Sequence, residues 1–144
     1  MLARPVRALT AREVAGVRAT LELAEREREA LAAVFYARLF ETDPAARKLF
    51  TIDMAEQGRK LLEMLDAIAD GLDQPDSLVE RLQELGQRHA GYGVRPEDYA
   101  TLGAALMWTL AEVLGERFSE EARRGWLALY ASISAAMLTG ATRV

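Results

Sequence analysis

A chain of 144 residues, 51% of them apolar, is long enough to bury the core of one ordinary domain, read here as residues 1–144. It contains no cysteine, which excludes disulfides, thiolate catalysis, iron–sulfur clusters and thiolate ligation of iron. A net charge of −4 argues against a nucleic-acid partner, which needs a basic face.

The N-terminal stretch from Met1 to Arg7 lacks the apolar run of a signal peptide. Residues 1–9 form a lead that the pattern leaves open between order and disorder. Thr10, with Glu13 three residues on, has the pattern of a capping box and predicts a helix from Ala11 to about Glu25, with Val14, Val17 and Leu21 on one face. The charged run Glu25-Arg26-Glu27-Arg28-Glu29 reads as a solvated turn and the start of the next helix, whose apolar face is Leu31, Val34, Phe35 and Leu39. Asp43-Pro44 stops that helix and opens a short new turn, because a residue before proline avoids the helical region.

Thr51 to Asp53 can cap a long helix from about Met54 to Gly71 carrying Leu61, Leu62, Leu65 and Ile68, with Leu72 just beyond. A loop is expected from Asp73 to Asp76, then a shorter helix from Ser77 to His89 that Gly91 and Gly93 break. Pro96 suits the first position of a helix reaching about Phe118. Ser119, Glu120 and Glu121 cap and charge a last helix to about Leu138. No segment alternates as a strand would, so the fold class is all-α with roughly six to eight helices. No stretch approaches the roughly 18–20 apolar residues of a membrane span, and a cytoplasmic location is expected.

His89 is the only histidine. Leu82 and Leu85, seven and four residues earlier, share its helical face, so that face is expected to point inward. Imidazole is the commonest protein metal ligand and a frequent axial ligand of haem iron. With no second histidine, His89 is either one protein ligand opposite one open position or a structural residue. Periodicity alone favours the structural reading. It makes Tyr36 and Phe50 core residues and Gln57 a surface residue. No phosphate loop, carboxylate pair at metal spacing or nucleophile elbow is present, and no catalytic residue is assigned.

Taken together, the motifs say more. Phe35-Tyr36-Ala37-Arg38-Leu39-Phe40, Asp43-Pro44-Ala45-Ala46-Arg47-Lys48-Leu49-Phe50 and Asp53-Met54-Ala55-Glu56-Gln57-Gly58-Arg59-Lys60-Leu61 resemble the distal half of a bacterial globin. Arg88-His89-Ala90-Gly91-Tyr92-Gly93-Val94 and Pro96-Glu97-Asp98-Tyr99 resemble the proximal half. The resemblance is to single-domain bacterial haemoglobins and the globin domain of flavohaemoglobins, and it runs from about Thr10 to Met137. It implies a globin fold, a three-on-three helical sandwich around one haem b.

Position by position, the resemblance makes His89 the proximal iron ligand and the sole metal ligand. Phe50 is the aromatic residue on the haem face. Tyr36 and Gln57 are the distal polar pair, and Leu61 is the apolar wall near the bound gas. Tyr99 stands behind the proximal histidine. Val94, Leu102 and Tyr130 line the pocket, and Arg88 reaches a propionate. Gln57 and Leu61 are four residues apart, so both present to one side of a helix.

The implied function is reversible binding of dioxygen, and of carbon monoxide and nitric oxide, at ferrous iron for storage or delivery. Two alternatives stand beside it: a nitric oxide dioxygenase served by an external reductase, and a haem-based gas sensor or interaction module. A bis-histidine haem is excluded, so the sixth position is expected open or filled by water, with Tyr36 in the ferric form as the rival. No flavin, nicotinamide or output domain is seen beside the globin part. In flavohaemoglobin-like globins a glutamate on the last helix bonds the tyrosine behind the proximal histidine; counted without gaps from His89, that position holds Ala141. His89 is therefore expected to be less imidazolate-like and to donate less electron density to iron, unless another acid takes the role in space.

Overall fold

A computed structural model describes residues 9–49, 54–71, 75–91 and 94–142. They form six α-helices: α1 (Ala11–Arg26), α2 (Arg28–Thr42), α3 (Met54–Gly71), α4 (Pro75–Gly91), α5 (Pro96–Leu114) and α6 (Glu120–Ala141). Two 3₁₀ turns, Pro44–Leu49 and Gly115–Arg117, complete the chain, and there is no strand among the described residues.

The helix starts follow from local chemistry. Thr10 Oγ1 accepts from the Glu13 backbone N–H at 3.1 Å, and Glu13 Oε1 accepts from the Thr10 N–H at 2.9 Å, so the expected capping box is formed. Ser119 Oγ accepts from the Ala122 N–H at 3.1 Å and starts α6 as expected. Glu27 is the single residue between α1 and α2; its N–H bonds back to Leu23 and Ala24, while its carbonyl accepts from Leu31 N–H at 2.8 Å. The charged run at this point is thus a corner between two helices.

Several boundaries differ from expectation. Pro75 and Asp76 are helical, not loop, because the fixed φ of proline suits a first helical turn. At its other end α4 continues two residues past His89 to Gly91. Helix α5 stops at Leu114, short of Phe118, at Gly115 with φ +56°. A Cβ disfavours that conformation, which glycine adopts freely. Helix α6 runs three residues past Leu138 to Ala141. The expected cap at Thr51 to Asp53, and Leu72, lie outside the described residues.

Helices α1, α3 and α4 form one layer and α2, α5 and α6 the other. Across the layers α4 and α1 pack on α6, and α3 packs on α2; within them α2 lies on α5 and α1 on α3. Leu31, Leu39, Leu110, Val17 and Trp126 are at most 1% exposed and form the centre of one continuous core. Each such side chain contributes about 1.5–3 kcal/mol by leaving water. The second tryptophan, Trp108, is 39% exposed, with the Arg38 guanidinium 4.5 Å above its ring. Among the described residues, no helix is long and apolar enough to cross a membrane.

Candidate functional site

His89 lies in the last turn of α4, half-buried, with Leu82 buried and Leu85 half-buried on the turns before it. Its Nδ1 is 2.9 Å from the Leu85 carbonyl oxygen. A carbonyl only accepts, so Nδ1 carries the proton and donates it, which puts the imidazole lone pair on Nε2. Burial pushes the His89 pKa below its ordinary value, against the Leu85 hydrogen bond and with the help of the adjacent Arg88 cation. A neutral ring with an oriented Nδ1–H is the form in which histidine binds a metal. The Val94 N–H donates to the His89 carbonyl at 3.1 Å and closes the end of the helix, which holds half-buried Val94 beside the histidine turn. Arg88 is exposed, so its head group extends into solvent from the same turn.

On the other layer, α2 buries Tyr36 to 6% exposure. Its ring meets Phe35 edge-on at 4.9 Å and Phe40 at 6.0 Å. Arg47, from the turn after α2, lies 5.0 Å over the Phe40 ring and ties that turn to the same aromatic group. Burial raises the Tyr36 pKa to about 12, so its hydroxyl keeps its proton across the physiological range. Val34, expected on the core face, is only half-buried; Tyr36 takes that place. Leu61 on α3 is buried in the core that contains Tyr36. Close approach of α3 to α2 is possible because Gly58 has no side chain: a Cβ there would meet the Ala32 methyl at 2.8 Å. Gln57 is helical, one turn before Leu61, but its side chain and the whole of Phe50 lie outside the described residues.

Tyr99 opens α5 and is 6% exposed. Its hydroxyl is buried and, among the described residues, makes no hydrogen bond. An orphaned buried hydroxyl is unfavourable and marks a place built for another group. Burial, aided by the Asp98 charge, raises its pKa. No described acid stands in for the glutamate absent at Ala141, which is the last residue of α6. The neighbouring carboxylate of Asp98 is engaged elsewhere: it accepts from the Arg95 backbone N–H at 2.8 Å and from its guanidinium at 3.1 Å. Burial opposes ionisation of Asp98, but these Arg95 contacts prevail and hold its pKa below the usual value. Proline at 96 followed by an acid at 98 is the sequence signal for this cap, and the sequence reading of the site overlooked it.

The Tyr99 carbonyl accepts from the Tyr130 hydroxyl at 2.6 Å, which ties α5 to α6. Burial raises the Tyr130 pKa to about 12. Leu102, half-buried, packs on the same core one turn after Tyr99. The structure thus gathers Tyr99, Leu102 and Tyr130 at the α5–α6 contact, and places His89, Arg88 and Val94 around the end of α4. A groove of about 430 Å³ between α2 and α5, lined by Arg38, Thr42 and Trp108, shares no residue with this set. Among the described residues no cluster of His, Asp and Glu could hold a metal by itself.

The model of the globin family matches residues 33–137. The flavohemoprotein of Bordetella pertussis is 33% identical over 137 residues, covering 93% of this chain and 32% of the relative. The chain therefore spans about a third of that relative's length. The neuroglobin of Tetraodon nigroviridis is 30% identical over 121 residues, covering 74% of this chain and 76% of the relative. Among solved structures, an engineered carbene transferase based on a candidate nitric oxide dioxygenase from Rhodothermus marinus superposes with a TM-score of 0.80 at 27% identity, covering 93% of this chain and 94% of its own. The flavohemoglobin of Malassezia yamatoensis, solved with FAD and heme, gives a TM-score of 0.75 at 20% identity over 94% of this chain and 37% of its own.

Proposed function

Because the chain belongs to the globin family, we propose that it holds one haem b through His89 and binds dioxygen, carbon monoxide and nitric oxide reversibly. The observation that carries this reading is the His89 Nδ1–H donating to the Leu85 carbonyl at 2.9 Å, which turns a neutral Nε2 lone pair toward coordination.

When bound, haem would supply a ferrous iron able to take a diatomic gas. The rest is the work of the chain. His89 would hold the iron, and the Leu85 carbonyl keeps its ring in one orientation. Tyr36, whose hydroxyl stays protonated, would donate toward the ligand, and Gln57 is the second donor that the resemblance assigns. Leu61 would keep that side apolar and water-poor, and Phe50 is the aromatic residue that the resemblance assigns to the haem face. Val94, Leu102 and Tyr130 would line the remainder, and exposed Arg88 would be placed to pair with a propionate. Among the described residues the Tyr99 hydroxyl has no carboxylate acceptor, which would leave His89 an ordinary imidazole. This supports gas binding over peroxidase-like chemistry.

A second reading, nitric oxide dioxygenase with an external reductase, is favoured by the likeness to flavohemoproteins and to the Rhodothermus marinus protein. Turnover of nitric oxide with a physiological reductase separates the two, since single-turnover conversion is expected of either.

The test of haem binding is an absorption spectrum of the ferric, the dithionite-reduced, and the carbon monoxide- and air-exposed protein, alongside His89→Ala. A five-coordinate ferrous spectrum, a stable gas-bound spectrum and loss of normal ligation in His89→Ala are expected. A colourless protein that cannot be reconstituted with haem overturns the reading.

A further inference from the structure

Helix α4 meets α6 with backbone against backbone. A methyl group added to Gly86 of α4 would fall on the Met137 carbonyl of α6. Reciprocally, a methyl group added to Gly140 of α6 would fall on the Gln83 carbonyl of α4. Both glycines are buried; Gly86 lies inside α4, where glycine costs about 0.5–1 kcal/mol relative to alanine, and Gly140 is the next-to-last residue of α6. Here the missing side chain is what allows the approach. The obstacles are main-chain carbonyls, which cannot rotate aside as a side chain can.

His89 lies three residues beyond Gly86 on the same helix. A helix moves as a rigid body over one turn, so the separation of α4 from α6 sets where the imidazole stands. Ordinary C···O contacts begin near about 3.3 Å. A methyl at either glycine would therefore have to part the helices by roughly 1 Å, a displacement of the size that matters for a coordinating atom.

We infer that Gly86 and Gly140 are positioning residues for the proximal ligand: their backbone contact holds α4 at the depth from which His89 meets the haem iron, and so sets the strain on that bond. This rests on the haem reading above. It goes beyond that reading in assigning control of the axial bond to the α4–α6 crossing.

Gly91 supplies an internal control. It lies on the same helix, two residues from His89, exposed, and a Cβ there would meet nothing within 4 Å. The experiment is resonance Raman of the reduced holoprotein, reading the iron–histidine stretching band, with carbon monoxide association rates beside it. Gly86→Ala and Gly140→Ala are expected to displace the band and change the association rate several-fold. Gly91→Ala is expected to change neither. An unmoved band in folded Gly86→Ala and Gly140→Ala overturns the inference.

Detachment of the ligand provides a measurement that does not depend on the glycine variants folding. In His89→Gly supplied with free imidazole, the axial ligand is no longer tied to α4. The band is expected to move from its position in the unmodified protein, and a coincident band overturns the inference. Absence of any iron–histidine band in the unmodified holoprotein instead sinks the haem reading through His89, and this inference with it.

Discussion

The chemistry of this chain turns on a few side chains whose surroundings decide their protonation. Tyr36 is the clearest. Burial raises its pKa to about 12, so its hydroxyl is a donor at every pH at which the protein works. A hydrogen bond to a charged group contributes about 1.5–3 kcal/mol, or roughly 10- to 150-fold in affinity. Replacing Tyr36 with Phe is therefore expected to raise the dioxygen dissociation rate by a factor in that range, measured by stopped-flow displacement with carbon monoxide. In the unmodified protein the same rate should stay flat from neutral to mildly alkaline pH, because the donor is lost only near about pH 12. A Tyr36→Phe rate equal to that of the unmodified protein would remove Tyr36 from the distal pair. Residue types and order single out His89 and Tyr36 in the sequence, and the structure half-buries the first and buries the second. The orphaned Tyr99 hydroxyl was legible only in outline, through the alanine at position 141. An unmet hydrogen bond depends on everything that surrounds the group, and that is known only once the helices are packed.

At the scale of the helix, chain chemistry settles the starts better than the stops. Thr10 and Ser119 cap where their side-chain oxygens can reach a third-residue N–H, a pattern that spacing reveals. Pro75 reads as loop from the sequence, because proline often ends a segment; the structure instead uses it as the first residue of α4, where its fixed φ suits a first turn. The expected end of α5 at Phe118 lies beyond its observed end at Leu114. Leu114 to Phe118 read as one more helical turn, yet Gly115 turns the chain out with φ +56° and ψ −129°. That backbone region belongs to glycine almost alone, and a side chain forced into it costs about 1–3 kcal/mol. Gly115→Ala is accordingly expected to lower stability by about that amount, read as a shift in the urea midpoint, while leaving gas binding intact. A midpoint unchanged by the substitution would mean that the turn adapts and that the glycine is not required.

At the scale of the whole molecule, helical periodicity shows that there are helices but not how they stack. The number of helices was legible, whereas the pairing of α4 with α6 and of α2 with α5 was not, since the contacts join residues far apart in the chain; the resemblance implied only a three-on-three sandwich. Glycine patterns gave no warning of the close α4–α6 approach, because Gly86 and Gly140 are separated by more than fifty residues and neither breaks its helix.

The same packing leaves the two tryptophans in opposite surroundings, one sealed at the centre and one at the rim of the α2–α5 groove. That gives the molecule two built-in optical reporters. In the haem-free chain, Trp126 should emit at the blue end and be shielded from acrylamide, while Trp108 should emit further to the red and be quenched readily. Replacing Trp108 with Phe should leave a single blue component that shifts red only when the core opens; a remaining component that is already red and freely quenched would place Trp126 in contact with water. With the surface signal removed, the chain's own light would report on its interior alone.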